Sequence, residues 1–514
     1  MENHAVNQTW RLVPFSSVPS GSRIYHTLWQ YDDKKNSSGQ IERFKARLCA
    51  QGNHQQANVD YFETFASVMR TKTLRVLFQI LNSSEFNEME HWDVKAAFIN
   101  APLEEEIYVY QPEGHVVPGS TGMVCKLDKA LYGLKQAGRA WQRFLSKILT
   151  KAGFVPLKKD EAVFIAHSPD GEGWCVVGTH VDDLFPLFNP KGKELRDKLF
   201  AALAEAVKIK NEGSVRWTLK TLIERDGPGG ILKISQGQFC REILQRFGFA
   251  HLVEAPTPTY HDDSIEEEEL PLTAADITAM HAAHPFYEAI GCLWWLANIS
   301  RPDIFLAVFR CAKLISRPTK KLWRWITRIF RYLKGCPDRG VVYKRQSDLD
   351  NLLGGAADAS WADASGKKST LGQLYWFLGA LVDWNVKTST RVLDSSTDAE
   401  CCSLVAFSKE NTWLRELLRE LGIFQVNRPT LVMEDNTSAI ALSGQGPTKR
   451  SRHFDISFYK FKEQVELGEM KLLFTRTKDN PADFFTKPLA REPFVKFRDL
   501  IMGGDGLQWH FMDP

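Results

Sequence analysis

The sequence lacks the features that mark membrane, secreted and disulfide-stabilised proteins. No run of eighteen or more apolar residues occurs, and the N-terminal MENHAVNQTW has no apolar signal core, so we expect a soluble chain that is not secreted. The nine cysteines form no CxxC pair, and their odd, scattered count favours reduced thiols in an intracellular protein over a disulfide or zinc framework. The sequence also contains no internal repeat.

A strong charge of either sign is also missing. The formal net charge is +3 over 514 residues, which excludes a strongly polycationic binder. A nucleic-acid enzyme remains open, because such enzymes combine local basic stripes with acidic metal sites. Hydrophobic residues make up 44% and charged residues 25% of the chain, as in ordinary globular proteins. The length predicts several domains, roughly three of about 150 residues each.

Two short apolar runs meet at a pair of adjacent carboxylates in WCVVGTHVDDLFPLFN, residues 174–189. The pattern predicts a β-hairpin with Asp182 and Asp183 at its tip. Asp is common in turns, where water screens the repulsion between neighbouring charges, so an ordinary turn is one interpretation. The other is a divalent cation between the two carboxylates, because Mg²⁺ binds anionic oxygen clusters and holds phosphates.

A basic strand is predicted near the N-terminus, in IERFKARLCAQG. Alternation would place Arg43, Lys45 and Arg47 on one strand face, where they could bind phosphate or simply be solvated.

A basic helix is predicted in KLISRPTKKLWRWITRIFRYLK, residues 313–334, which carries eight Lys or Arg and no acid. Its apolar residues line one face, and Arg324, Arg328 and Arg331 lie largely on another. A solvated helix face and a track for a nucleic-acid backbone are both open interpretations.

Three blocks, in order along the chain, resemble the reverse transcriptase of copia-type LTR retrotransposons: HWDVKAAFIN with EEEIYVYQPEG, then LYGLKQAGRAW, then HVDDL. NQTWRLVP, RFKARL and YFETFASV are similar to the opening segment of that family, and SRPDI and RYLKG to its connecting region. The resemblance extends from about Asn7 to Leu489, and so many blocks in register make it specific.

The resemblance implies an RNA-directed DNA polymerase of the right-hand type. Asp93 would join Asp182 and Asp183 in holding two Mg²⁺ ions, with Mn²⁺ as a substitute, for phosphoryl transfer to a primer 3′-hydroxyl. Only carboxylates supply that much hard oxygen and negative charge.

Four further residues are implied to bind the incoming nucleotide. By motif position, Phe98 would reject a 2′-hydroxyl and Gln136 would lie under the template–nucleotide pair. Lys45 and Arg47 would contact the triphosphate. For Phe98 the alternative is an ordinary core aromatic.

The C-terminal blocks GGAADASWAD, KKSTLG, SSTDAE, EDNTSAI, SRHFDI and NPADFFTKPL resemble, in family order, a ribonuclease H domain. The resemblance implies a second two-metal site that hydrolyses RNA paired to DNA. Its four acids would be Asp358, Glu400, Asp435 and Asp483. His453 would position a phosphate or the scissile strand, or else be a surface or structural histidine.

Three of these acids have a local structural alternative. TDAE is also a capping box, so Glu400 could bond the start of a helix that runs towards Leu421 and stops at Gly422. Asp435 could belong to a strand-to-helix turn, and Asp483 could be a charge at a helix N-terminus.

We therefore expect a multidomain α+β and α/β chain. The predicted domains are fingers and the start of the palm (1–90), the palm with the polymerase site (91–230), thumb and connection (231–350, with an acidic linker at 255–272), a ribonuclease H-like mixed-sheet domain (351–492) and a tail (493–514). The implied partners are RNA and DNA template-primers, RNA–DNA hybrid and deoxynucleoside triphosphates, without a membrane. Association as a homodimer, or with other proteins encoded by the same element, is left open. The expected location is cytoplasmic, in a virus-like particle, with access to the nucleus.

A different class of function is also open, namely a decayed or co-opted remnant that binds nucleic acid or protein without catalysis. His180 and Gly138 motivate it, since the family commonly has Tyr and Pro at these positions. Pro186 motivates it too, because it falls in the return strand of the hairpin, where a proline is expected only at a sheet edge. No protease or integrase segment precedes the polymerase blocks, so a processed or truncated product is also expected.

Overall fold

The computed structural model describes residues 1–35, 41–226, 230–261, 273–344, 352–444 and 456–503. The chain divides into two compact units, and neither is continuous in sequence. Unit 1 comprises Met1–Arg70 and Glu88–Ser214, and unit 2 comprises Thr71–Asn87 and Val215–Pro514. From residue 262 onwards, the predicted acidic linker lies outside the described residues.

The described residues form a mixture of helices and strands. The helices are α1 (Glu2–Val6), α2 (Thr71–Ser83), α3 (Ala137–Lys151), α4 (Lys193–Ala206), α5 (Gly237–Arg246), α6 (Ala274–Ala283), α7 (Phe286–Ile299), α8 (Phe305–Lys313), α9 (Lys320–Gly335), α10 (Ser396–Leu421), α11 (Thr437–Gly444), α12 (Ile456–Glu466) and α13 (Arg491–Ile501). The strands are β1 (Trp10–Pro14), β2 (Ile24–Tyr25), β3 (Thr27–Lys35), β4 (Ile41–Ala50), β5 (Glu88–Val94), β6 (Tyr108–Val109), β7 (Met123–Leu127), β8 (Val155–Pro156), β9 (Val163–His167), β10 (Trp174–His180), β11 (Asp183–Phe188), β12 (Ile209–Ser214), β13 (Trp217–Thr218), β14 (Thr221–Arg225), β15 (Leu232–Ser235), β16 (Gly340–Tyr343), β17 (Leu353–Ala364), β18 (Lys368–Phe377), β19 (Ala380–Thr388), β20 (Thr430–Glu434) and β21 (Met470–Phe474). None of these helices combines the length and apolar character needed to cross a bilayer.

Unit 1 is built on a six-stranded sheet in the order β12-β5-β11-β10-β9-β8. The predicted hairpin is confirmed, because β10 and β11 pair antiparallel from Cys175 opposite Phe188 to His180 opposite Asp183. Helices α3 and α4 share a core with this sheet through Trp141, Leu145 and other apolar side chains. Burial of each large apolar side chain there stabilises the folded state by about 1.5–3 kcal/mol, so packing holds the hairpin in place.

Pro186 lies inside this sheet, and the expectation that it requires an edge strand is wrong. It sits on β11, which has β10 on one side and β5 on the other. Pairing to β5 holds at Asp183 and Leu184 and resumes at Leu187, and no pair joins the strands at Pro186. Since proline has no N–H to donate, the sheet accommodates it by omitting pairing at that point.

Two smaller sheets complete unit 1. One has the order β1-β7-β6-β2, and the other is the antiparallel hairpin of β3 and β4. Lys45 lies opposite Asp32 and Arg47 opposite Gln30 in this hairpin, so the register places the three predicted cations of β4 on one face. The predicted strand is therefore confirmed.

Unit 2 contains a mixed five-stranded sheet in the order β19-β18-β17-β20-β21. Strands β17, β18 and β19 pair antiparallel, whereas β20 runs parallel to both β17 and β21. The long helix α10 packs against this sheet, and its predicted end is confirmed, since Gly422 adopts a left-handed conformation (φ 63°) after Leu421. A second sheet of unit 2 has the order β13-β14-β15-β16.

Helix α2 belongs to unit 2, although the sequences on both sides of it belong to unit 1. The Arg75 guanidinium donates to the Val382 carbonyl at 2.6 Å and contacts Asp383 at 3.2 Å, both on β19. Gln79 donates to the Leu378 carbonyl at 2.8 Å, and Asn82 to the Tyr343 carbonyl at 2.9 Å. Buried polar side chains thus fix the helix in place, because each of these bonds would be costly to lose.

Candidate active sites

The register of the central strands brings the predicted polymerase acids together in unit 1. Asp93 on β5 lies directly opposite Asp183 on β11, and the Val94 amide donates to the Asp182 carbonyl at 2.9 Å. Directly opposed residues in an antiparallel pair have Cβ atoms about 5 Å apart. Asp93 therefore lies beside Asp182 and Asp183 at one end of the hairpin, although it precedes them by about ninety residues in sequence.

The two-residue turn of the hairpin is held from outside the sheet. Val181 takes a left-handed conformation (φ 56°), which is strained for a β-branched residue. The Trp141 indole on α3 donates to the Val181 carbonyl at 2.6 Å, and Trp141 is itself buried. Helix α3 thus fixes the turn that presents Asp182.

The polymerase acids have charged or polar neighbours within the described residues. Asp183 accepts a hydrogen bond from His91 at 2.7 Å, and Asp93 forms an ion pair with Lys95. Burial raises the pKa of Asp182, and the negative charge of Asp183 raises it further. A cation would relieve both effects, and an all-carboxylate donor set suits Mg²⁺. The donor set therefore fits the implied metal.

The four predicted nucleotide-binding residues have different surroundings. Phe98 is half-buried and packs against Tyr132 with ring centroids 5.0 Å apart. Arg47 is 3.6 Å from the Asp32 carboxylate, and the positive charge of Lys45 is felt at Asp182. Gln136 is buried, and its amide bonds Gln55 and the Asp60 carbonyl. Its role under a base pair remains a prediction.

Unit 2 contains the tightest acidic cluster among the described residues. Carboxylate oxygens of Asp358, Glu400 and Asp435 all lie within 4.8 Å of one another. Asp358 and Glu400 are buried, and Oε2 of Glu400 has no hydrogen-bond partner among the residues that the structure describes. A buried carboxylate oxygen left without a donor is costly unless a cation binds it, so these residues fit the implied metal ion.

The raised pKa values of the acids in this cluster also favour a bound cation. Burial raises the pKa of Glu400 to about 11, with the negative charges of Asp358 and Glu434 adding to the effect. Burial and the charge of Asp483 raise the pKa of Asp358 to about 7. Glu400 therefore holds a proton in the absence of metal, because the carboxylates of the cluster cannot all be ionised at this spacing.

The capping alternative for Glu400 is wrong. Ser395 caps α10, its side chain accepting from the Asp398 amide at 3.2 Å, and Asp398 in turn accepts from the Asp394 amide. The capping box thus uses Ser395 and Asp398, five and two residues before Glu400. Glu400, more than a turn into the helix, is left free to face the cluster.

Asp435 and its neighbour Asn436 have different roles, one in the acidic cluster and the other at the start of α11. Asn436 bonds the Ala439 amide at 3.0 Å and so caps the start of α11. Asp435 lies in the same turn between β20 and α11, as the local alternative predicts, and its carboxylate also belongs to the acidic cluster.

The fourth predicted acid, Asp483, lies in a short 3₁₀ helix, Pro481–Phe485, and accepts a hydrogen bond from Lys487 at 2.6 Å. Lys487 is also 4.0 Å from Asp358, and the Thr486 hydroxyl donates to Asp358. Burial disfavours the charge on Lys487, but Asp358 and Asp483 outweigh it and raise the pKa of the lysine. Asp483 is thus linked to the cluster by Lys487, which contacts both Asp358 and Asp483.

Sequence reasoning missed five residues that contact or adjoin the acids. They are His91, Lys95, Glu434, Thr486 and Lys487. A signal existed for three of them. His91 and Lys95 lie two positions from Asp93, where side chains share a strand face, and Lys487 lies four from Asp483. Glu434 is fully buried, and burial raises its pKa to about 8.

Two of the three α9 arginines that are predicted to bind nucleic acid donate instead to backbone carbonyls of the protein. The helix begins at Lys320 with a Thr319 cap, not at residue 313, and its apolar face is buried as predicted. Arg328 bonds the Thr259 carbonyl at 2.9 Å, and Arg331 the Val253 carbonyl at 2.6 Å, whereas Arg324 is exposed. Their contact with nucleic acid stays a prediction. His453 lies outside the described residues.

Comparison with known proteins places this geometry in a family. Residues 7–261 match the family model Reverse transcriptase (RNA-dependent DNA polymerase). The chain is 32% identical over 503 residues, 98% of its length, to the retrovirus-related Pol polyprotein from transposon TNT 1-94 of Nicotiana tabacum, covering 37% of that relative. It is also 32% identical over 498 residues, 96% of its length, to the polyprotein from transposon RE1 of Arabidopsis thaliana, covering 32%.

The chain belongs to the family of copia-type retrotransposon Pol polyproteins, as the motifs predicted. It spans about a third of the length of these curated relatives. Among solved structures it is similar to a foamy viral protease-reverse transcriptase in complex with double-stranded DNA, with a TM-score of 0.46 and 10% identity, over 92% of this chain and 68% of that one.

Proposed function

We propose that the chain is an RNA-directed DNA polymerase with an attached ribonuclease H. The observation that carries the polymerase part is the strand register that sets Asp93 opposite Asp183, with Asp182 in the adjoining turn. Membership in the reverse transcriptase family supports the same reaction. The proposed substrates are deoxynucleoside triphosphates and a primer on an RNA or DNA template.

Asp93, Asp182 and Asp183 would hold divalent metal, Mg²⁺ or Mn²⁺, in unit 1. When bound, the metal activates the primer hydroxyl and neutralises charge on the triphosphate and pyrophosphate. Phe98, packed on Tyr132, would restrict the space beside the sugar. Lys45 and Arg47, on one face of β4, would neutralise phosphate oxygens.

The cluster of Asp358, Glu400 and Asp435 carries the ribonuclease H part of the proposal. These three acids, with Asp483 beside them, would hold the metal that activates water for hydrolysis of RNA in a hybrid. Lys487 would balance the negative charge of Asp358 and Asp483 on the protein side. The second candidate, a non-catalytic remnant, has no such observation in its favour.

Primer extension on an RNA template tests the polymerase. Asp183→Asn should lower incorporation about 1,000-fold or more, since metal-held charge stabilises the transition state by several kcal/mol. Asp197→Asn is the matched control, because Asp197 is an exposed acid on α4 and the charge change is the same. Incorporation that does not differ among the three proteins, in Mg²⁺ and in Mn²⁺, would exclude the polymerase.

Cleavage of RNA in a labelled hybrid tests the second site. Glu400→Gln should abolish cleavage and leave primer extension unchanged. Equal cleavage by the variant and the parent would exclude a ribonuclease H site at this cluster.

A further inference from the structure

His91 occupies a specific place beside the polymerase acids. On β5 it precedes Asp93 by two residues, so the two side chains emerge on the same face of the sheet. Asp183 lies opposite Asp93 and is therefore the diagonal cross-strand neighbour of His91. Diagonal neighbours are within reach of a long or aromatic side chain, and the His91 Nε2 atom is 2.7 Å from Oδ1 of Asp183.

The orientation of the His91 ring is fixed by a second contact. The ring stacks on Phe185 with centroids 5.4 Å apart and planes 14° apart, and Phe185 is fully buried. A carboxylate can only accept a hydrogen bond, so Nε2 of His91 is the donor. The bond therefore reaches one oxygen of Asp183 and leaves the other available.

We propose that His91 is a positioning residue that orients the Asp183 carboxylate for metal, an inference that rests on the proposed polymerase function. The side-chain bond to Oδ1 selects one rotamer of Asp183 and directs Oδ2 towards the end of the hairpin, where Asp93 and Asp182 converge. Partners that orient metal-binding carboxylates in this way typically change metal affinity or activity about 10–100-fold when removed. His91 itself contacts neither metal nor substrate.

Two amide substitutions separate this role from simple packing. The Gln side chain places its amide nitrogen close to where His has Nε2, whereas Asn reaches only to the position of Nδ1. His91→Gln should therefore keep the bond to Asp183, and His91→Asn should lose it. His91→Phe keeps a ring to stack on Phe185 and removes the donor.

The readout is Mn²⁺ binding to the full chain, followed by the loss of the free-ion signal in electron paramagnetic resonance. All variants carry Glu400→Gln, which removes a ligand from the acidic cluster of unit 2. Relative to the protein that carries Glu400→Gln alone, His91→Phe and His91→Asn should weaken Mn²⁺ binding about 10-fold. The Mn²⁺ affinity of His91→Gln should stay within about 3-fold of that parent. His167→Phe, at the exposed end of β9, should change nothing.

Primer extension gives a second readout. The Mg²⁺ concentration for half-maximal rate should rise about 10-fold for His91→Phe and His91→Asn, with the KM for nucleotide unchanged. A purely structural role would instead lower the metal-free melting temperature of His91→Gln and His91→Asn alike. If His91→Phe does not fold, the comparison between His91→Gln and His91→Asn is sufficient to test the proposal.

Asp183→Asn separates failure of this inference from failure of the proposed function. If it binds Mn²⁺ as tightly as the parent, Asp183 holds no metal, and the polymerase site and the role of His91 both fall. If it weakens binding while His91→Asn matches the parent, only the role of His91 is overturned. Tighter binding by His91→Asn also overturns it, because His91 would then compete with metal.

Discussion

Replacing Glu400 by Gln should stabilise the metal-free protein, although it removes a proposed ligand. Three carboxylates with oxygens within 4.8 Å share the cluster, and two full charges at that distance repel by about 3.5 kcal/mol at an effective dielectric constant of about 20. Burial and this repulsion raise the pKa of Glu400 to about 11. The folded protein must therefore keep Glu400 protonated at neutral pH.

The pH dependence follows from the direction of that shift. An unfolded Glu titrates near pH 4.3, so above that pH the unfolded chain releases a proton that the metal-free folded chain retains. The resulting destabilisation grows by up to about 1.4 kcal/mol per pH unit, from about 1 kcal/mol at pH 5 to an upper limit of about 5 kcal/mol at pH 8. Gln carries no such proton, so its advantage should grow over the same range.

Thermal unfolding in EDTA from pH 5 to pH 8 measures this. The buried Gln amide offsets part of the gain, so we expect about 1–3 kcal/mol at pH 8, or a few degrees in melting temperature. Asp394→Asn, an exposed acid near the start of α10, is the charge-matched control and should show no effect. In Mg²⁺ at 100 times its Kd, the parent should gain about 2.7 kcal/mol and Glu400→Gln should gain much less.

A lower melting temperature for Glu400→Gln in EDTA at pH 8 would refute the reasoning. A difference that does not change between pH 5 and pH 8 would refute it as well, because charge repulsion within the cluster would not then be its cause.

Three further substitutions test other contacts. Trp141→Phe removes the hydrogen bond to the Val181 carbonyl and should cost about 1–3 kcal/mol in unfolding and lower the polymerase rate at saturating Mg²⁺; an unchanged rate would mean that the indole does not hold the turn. Gly138 is in the first turn of α3, where proline is tolerated, and its Cβ would meet only Ala66 at 3.5 Å, so Gly138→Pro should raise stability by about 0.4–1 kcal/mol, whereas a loss measured by denaturant unfolding would contradict this fit. Arg75→Met leaves the half-buried Asp383 without its guanidinium partner and should cost about 3–5 kcal/mol, and adding Asp383→Asn should recover part of that loss in a double-mutant cycle.

Local patterns predicted the elements of both sites well. Two short apolar runs meeting at the carboxylate pair in residues 174–189 are enough to predict the hairpin, because its register depends on adjacent strands and a two-residue turn. The insertion of β5 between β11 and β12 could not be read from local pattern, since it joins residues about ninety positions apart. Family resemblance implies the role of Asp93, and the structure adds its pairing with Asp183.

Other differences come from tertiary contacts that outweigh local signals. TDAE satisfies the sequence rule for a capping box, but the helix begins two residues earlier, so Ser395 and Asp398 take those bonds and leave Glu400 for the cluster. Pro186 satisfies the rule for an edge strand, but the buried apolar side chains on both sides of it keep β11 in the middle of the sheet. In each case burial decided between alternatives that spacing left open.

The placement of α2 has a consequence for how this chain can be cut. The covalent chain passes between the units after Arg70, after Asn87 and after Ser214, so no single cleavage yields two complete folding units. A cut after Ser214 would leave α2 on the N-terminal fragment, separated from the β19 groups that bind Arg75. The C-terminal fragment would then have an incomplete core, because α2 belongs to its unit. Laboratory dissection into the two units therefore needs circular permutation or co-expression of overlapping pieces.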